Sequence, residues 1–333
     1  MLVYLQATSI RETTSYNKYN LANLINIISM TVSSQSKINL TSRLVEIVLS
    51  IKPLANFAKT RARKMMIERA EAIGVPWREN VQQLKEYNWE QTIELIQDPD
   101  LKYPSYYTTS FHAYETGNLC WQAAWEVESA SKAVHAKIWS NGDVRGDSML
   151  RQSYHQVLQQ QLPNAPSRIL DVGCGVGMST QALQEIYSQA QIVGVDLSPY
   201  FLSVAQYREQ DRASIQWVHA AAESTGLPKE SFDLVSASLM FHELPATAAQ
   251  EIVTEARRLL RPGGYLAIMD MNPQSEVFQK MPPYILTLLK STEPYLDQYF
   301  ALDLPQTFIE AGFANPKILP TGPRHRTIIA QVG

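Results

Sequence analysis

The densest run of ligand-binding chemistry in the chain is Arg168-Ile-Leu-Asp-Val-Gly-Cys-Gly-Val-Gly-Met178. An apolar stretch, Ile169–Val172, leads into Gly173, Gly175 and Gly177, and a helix-forming segment with Ser179 and Thr180 follows. Glycine is needed where a chain turns sharply out of a sheet and a ligand approaches the backbone with no Cβ in the way. The free N–H groups of the next helix then suit a ligand with a charged end. Glycines in a tight turn also have a purely conformational explanation. The dinucleotide pattern G-x-G-x-x-G requires glycine at position 178, where this chain has methionine. A nicotinamide-dependent oxidoreductase is therefore carried only as an alternative. About 20 residues beyond the loop, Val193-Gly-Val195 ends on Asp196, followed by Leu197-Ser-Pro. An acid there can accept hydrogen bonds from both ribose hydroxyls of a nucleoside, and its bland alternative is a turn or helix-cap aspartate.

These residues need elements to hold them. From Ser148 onward helical and strand-like stretches alternate: 149–161 reads as helix and Arg168–Val172, Gln191–Val195, Phe232–Ala237 and Gly264–Met269 as short apolar strands. Helical patterns fill 178–188, 199–209 and 246–260, and this alternation predicts a doubly wound α/β fold with a mostly parallel sheet. Lys317–Leu319 and Thr327–Val332 are expected to add an antiparallel hairpin at the sheet edge. Before residue 148 the chain reads differently. Leu40, Leu44, Ile47, Val48 and Ile51 recur at helical spacing, and two or three helices are expected between 38 and 96. Residues 103–139 are rich in aromatics, which either line an apolar pocket or fill a core. Turn-forming residues at 140–147 mark a boundary. The expected division is a flexible extension over 1–36, a helical region over 37–147 serving as a substrate lid, and a cofactor-binding domain over 148–333.

A hydrophobic content of 45% suits a buried core, and a net charge of −3 gives no general pull toward nucleic acid. Two cysteines, Cys120 and Cys174, are too few for a disulfide framework and fit a reducing, cytoplasmic setting. No apolar run is long enough for a transmembrane segment, and the weakly apolar stretch 21–30 does not read as a signal peptide. Residues 52–64 carry Lys59, Arg61, Arg63 and Lys64 beside Leu54 and Phe57, compatible with a peripheral membrane contact, although a solvated helix face is the commoner explanation. No histidine or carboxylate spacing forms a metal site, so none is expected.

Five collinear blocks resemble the class I S-adenosylmethionine-dependent methyltransferases: the loop above, Ala220-Ala-Ala-Glu223 with Leu227-Pro228, Ser231-Phe-Asp-Leu-Val235, Ser238-Leu-Met-Phe-His-Glu-Leu-Pro245, and Leu260-Arg-Pro-Gly-Gly264. Their texture is similar to the quinone-biosynthesis C-methyltransferases. The resemblance covers about residues 150–333 and implies a Rossmann-like methyltransferase fold, S-adenosyl-L-methionine as cofactor and a small-molecule methyl acceptor. It implies that Asp171 and the loop Gly173–Gly177 hold the methionine portion, Asp196 the ribose, and Leu197 packs on adenine. The family usually has an aspartate where this chain has Ala221, so adenine recognition passes to the backbone around Ala222 or to Glu223. Ser238 and Leu239 would face the transferred methyl, and Tyr284, Leu286, Leu289 and Tyr295 would reach over the cofactor. Motif order puts His242 at the mouth of the site, as a general base or as a packing histidine. A non-catalytic member of the fold is a third reading, for which Ala221 is the hint. The aromatic content of the lid points to a fairly apolar acceptor, methylated by direct transfer.

Overall fold

Strands buried on both faces demand nearly continuous apolar sequence, while helices laid over them need only one apolar stripe. The computed structural model describes residues 52–110, 112, 114–139, 142–209 and 215–333. The extension expected over 1–36 and the apolar stripe Leu40–Ile51 lie outside these residues. The described chain opens with α1 (Lys52–Ala72), α2 (Trp77–Glu86), α3 (Glu90–Ile96) and α4 (Trp121–His135), then α5 (Gly146–Gln161). The sheet unit follows as β1 (Arg168–Val172), α6 (Met178–Ile186), β2 (Gln191–Asp196), α7 (Pro199–Arg208), β3 (Ile215–His219), β4 (Phe232–Ser238), α8 (Ala246–Leu259) and β5 (Leu260–Met271). It closes with α9 (Glu276–Gln279), α10 (Pro283–Lys290), α11 (Leu296–Ala301), α12 (Leu304–Glu310), β6 (Lys317–Gly322) and β7 (His325–Gln331).

The seven strands lie in the order β3-β2-β1-β4-β5-β7-β6. Strands β1 to β5 are parallel, and β7 runs antiparallel to both β5 and β6. The mostly parallel sheet and its closing hairpin match expectation. Two details differ. β3 had no expected counterpart, because Ile215-Gln-Trp-Val-His is a half-buried edge strand whose alternating pattern contains no apolar run. β5 begins at Leu260 rather than Gly264, because Arg-Pro-Gly-Gly, a turn-like string, extends the strand across a pairing irregularity opposite β4.

Two of the loop glycines are required by their neighbours as well as their backbone. Gly177, at φ +80°, caps α6, and a Cβ there would come within 2.8 Å of the Trp217 ring. Gly173, at φ +65°, would overlap the Met240 side chain. A side chain is thus excluded at Gly177 by Trp217 of β3 and at Gly173 by Met240 after β4.

The N-terminal helices dock on this unit through shared apolar packing. Leu84, Trp89, Ala123 and Ala124 form one buried cluster with Val176, Phe201 and Val204. On α1, Ala62, Met66, Ile67 and Ala70 face inward while Arg61 and Lys64 stay exposed, the pattern of a helix docked by one stripe. Arg63 is tied to the buried Glu126, which also accepts a hydrogen bond from the Tyr114 hydroxyl at 2.8 Å. Asp147 binds His135 at 2.6 Å and Arg151 at 2.9 Å, so the turn-rich stretch before α5 is fastened on both sides. Among the described residues no helix is long and apolar enough to cross a membrane.

Candidate functional site

β1, β2 and β4 end on the same edge of the sheet, and the loops leaving them wall a cavity of about 240 Å³. Ligands bind at such carboxyl edges because the chain leaves the sheet there and exposes backbone donors. Gly173–Val176, Asp196, Leu197, Ser238 and Leu239 all line it. The roof is the segment between α3 and α4, which contributes Tyr106, Tyr107 and Asn118. Leu239 sits at φ +58° just past β4, turning its side chain out of the strand direction at the cavity wall.

The Asp196 carboxylate accepts from the Gly175 and Ser198 N–H groups, each at 2.8 Å, and from the Tyr107 hydroxyl at 3.4 Å. Burial pushes its pKa up to about 6 against those donors. A carboxylate has about four acceptor positions, so Asp196 can take further donors, particularly if Tyr107 yields. Ser198 Oγ caps α7 by accepting from Phe201 N–H and donates to the Asn118 carbonyl at 2.7 Å, which ties the roof to the same corner. Leu197, Phe201, Ala220 and Ala222 make an apolar shelf beside it.

Asp171 is placed differently from a direct contact. It is fully buried beneath the loop, outside the cavity lining, and its Oδ2 accepts from Ser179 at 2.6 Å and Thr180 at 2.7 Å. Burial raises its pKa to about 6, and its Oδ1 has no hydrogen-bond partner. Gly177 and Glu223 also stand behind the lining. Glu223 accepts from the Tyr106 hydroxyl at 2.8 Å and so supports the roof. Past the loop, Arg151 lines the cavity from α5, with Ser131 and His135 beside it.

The residues present fit an S-adenosyl nucleoside. A buried acid with spare acceptor capacity stands at the end of β2, and an apolar shelf lies beside it. Above Gly175 a Cβ would meet nothing closer than Phe201 at 3.9 Å, and a guanidinium, Arg151, lies at the far end for a carboxylate.

At the other mouth of the cavity stands His242, on the 3₁₀ turn Phe241–Glu243 after β4. Its Nδ1 lies 2.7 Å from Asp270 Oδ1, and its backbone N–H donates to Asp270 Oδ2 at 3.2 Å. Burial disfavours the charged ring, but Asp270 outweighs it and holds the pKa up at about 9. The Nδ1 contact leaves Nε2 as the nitrogen for cavity chemistry. Glu243 lines the same mouth, and burial raises its pKa to about 7 against the pull of His112 and His242.

Sequence reasoning missed Asp270, although its signal is the one that identified Asp196, an acid ending an apolar strand. It also missed His112 and Glu293, which line the same mouth from the roof and from the turn after α10 and carry no local signal. The aromatic block divides: Tyr106 and Tyr107 line the cavity, whereas Trp121 and Trp125 pack between helices. Of the four residues expected to reach over the cofactor from the C-terminal lid, Leu289 lines the cavity and Tyr284, Leu286 and Tyr295 do not.

Residues 170–268 match a family described as a methyltransferase domain. An uncharacterised methyltransferase of Synechocystis is 32% identical over 161 residues, covering 48% of this chain and 73% of that protein. A demethylmenaquinone methyltransferase of Bacillus licheniformis is 28% identical over 169 residues, covering 48% of this chain and 71% of that one. The crystal structure of the CurJ carbon methyltransferase shares the fold, with a TM-score of 0.50 at 16% identity, over 77% of this chain and 70% of that one.

Proposed function

Because this chain belongs to the class I S-adenosylmethionine-dependent methyltransferases, we propose that its cavity brings the cofactor together with a small, fairly apolar acceptor. The methyl would then pass directly between them. The observation that carries this is continuity: one cavity runs from Asp196 and the glycine loop to His242. S-adenosylmethionine supplies, when bound, a methyl group already activated on a sulfonium. The chain's own residues then have to orient and enclose. Asp196 would hold the ribose, Leu197 and Ala222 the adenine, Gly173–Val176 the backbone side, and Arg151 the carboxylate. Asp171 would act one layer below, fixing the loop through Ser179 and Thr180, and Glu223 would steady Tyr106 in the roof. Ser238 and Leu239 would border the transfer point.

His242 would meet the acceptor through Nε2. Asp270 fixes the ring and favours its cationic form, so the resting role is to steady negative charge on an acceptor oxygen or activated carbon. That role differs from both the general base and the packing histidine that motif order offered, because a ring already protonated cannot accept the acceptor's proton. The apolar wall of Met271, Phe278 and Leu289 supports an apolar acceptor, as does the relative named a demethylmenaquinone methyltransferase. The 148–333 segment is read as the catalytic domain and 37–147 as its lid. Exposed Arg61 and Lys64 are what supports a peripheral membrane contact. A nicotinamide cofactor has no support from the sheet or the relatives.

The test is to incubate the protein with methyl-labelled cofactor and a panel of demethylated quinols, phenols and a metabolite extract, following product by mass spectrometry. A labelled small apolar product is expected. Label only on polar metabolites would overturn the acceptor class.

A further inference from the structure

The acceptor mouth contains a constellation that methyl transfer as described does not use. His112, Glu243 and Glu293 come from the roof, the turn after β4 and the turn after α10, and their donor atoms all lie within 4.8 Å of one another. His112 Nε2 is 3.1 Å from Glu293 Oε1 and 3.7 Å from Glu243 Oε1. The side chains of His112 and Glu293 are 11% and 1% exposed, and that of Glu243 26%. All three line the cavity.

We propose that His112, Glu243 and Glu293 form a divalent-cation site whose open side faces the cavity and takes an oxygen-bearing methyl acceptor. Three considerations support this. Two carboxylates and one imidazole, brought from three separate elements, converge in one largely buried corner of the cavity, a mixed nitrogen and oxygen donor set that suits a divalent ion. Nitrogen and oxygen donors about 2.1 Å from a tetrahedral ion stand roughly 3.4 Å apart. The two His112 distances straddle that value, and a small inward shift of one glutamate completes the set. Three protein ligands with one side left open is the arrangement of a site that binds substrate, while a structural site is closed by four. One imidazole with two carboxylates suits zinc or manganese more than magnesium or calcium.

The site is also braced by the fold. His112 N–H donates to the Thr292 carbonyl at 3.2 Å, which sets the roof loop directly beside Glu293. Residues far apart in sequence supply the donors, so no local spacing could announce them. Cation binding needs no cofactor. Only the assignment of the open side to an acceptor rests on the methyltransferase reading.

The experiment titrates ZnCl2 into the chelator-treated full chain by calorimetry, with MnCl2 in a second series. One equivalent bound at micromolar affinity or tighter is expected, weakened at least about tenfold by Glu293→Gln, Glu243→Gln or His112→Asn. S-adenosylhomocysteine binding should stay within about twofold of wild type in each variant, which checks that the chain has folded. On the wild-type protein, Zn2+ should shield His112 from diethylpyrocarbonate, read by peptide mass spectrometry. No stoichiometric binding, binding indifferent to all three substitutions, or unaltered His112 modification would each overturn the site. A protein that binds S-adenosylhomocysteine but neither ion keeps the methyltransferase reading and loses this one. One that binds an ion and no S-adenosylhomocysteine does the reverse.

Discussion

Asp196 is a buried acid that two backbone N–H groups and the more distant Tyr107 hydroxyl keep from being costlier still, and its ligand would share that load. Protonated, it loses an acceptor position, so affinity for S-adenosylhomocysteine should fall as pH drops through about 6. Asp196→Asn should bind at least ~10-fold more weakly at pH 8 and with a flatter profile, measured by calorimetry between pH 5 and 8. Stability has the opposite sign. Asp171 and Asp196 have folded pKa values near 6 against 3.8 in the open chain, so the folded state holds protons that the unfolded state releases. Their contribution should decline as pH rises from about 4 to about 6 and then level off, by up to roughly 3 kcal/mol per group. Urea midpoints across that range test this, and Asp196→Asn should lose part of the slope. At the other mouth, His242→Gln should lower kcat about 100-fold. Asp270→Asn, acting through the ring, should lower kcat by less while leaving KM nearly unchanged. An equal loss in KM would make Asp270 a binding residue.

At the level of elements, the loop between β1 and α6 works because its neighbours leave no room for side chains at Gly173 and Gly177. Gly177→Ala combines a left-handed backbone with an approach to Trp217, and it should cost about 1–3 kcal/mol and weaken cofactor binding together. Thermal melts with and without S-adenosylhomocysteine would separate the two. The sequence displayed this loop, Asp196 and six of the seven strands because each rests on local spacing or a continuous apolar run. β3 escaped because an edge strand covered on one side needs no such run. Asp270 ends an apolar strand as Asp196 does, but only the pairing of β4 with β5 brings it beside His242, so its role was not legible. His112 and Glu293 are products of topology alone. Tyr107 was visible as an aromatic, but nothing nearby in the chain says that its hydroxyl would stand on Asp196.

Considered as a whole molecule, the helical region and the sheet unit share a core cluster, and a cut at residue 148 would bare Phe201 and Val204. The isolated 148–333 fragment should therefore bind a hydrophobic dye, and the intact chain should melt in one transition in calorimetry. The joint also contains a buried charge. Arg63→Ala leaves Glu126 with the neutral donors Tyr114 and Gln122, and the loss should be about 2–3 kcal/mol, below that of a fully enclosed pair because Arg63 keeps contact with water. Trp217, whose ring fills the space beneath Gly177 and Gly194 and whose Nε1 donates to Glu209 at 2.7 Å, has one more implication. Its indole is an emitter built into the floor of the cofactor loop, so occupancy above the sheet should be readable from below as the difference in fluorescence between wild type and Trp217→Phe.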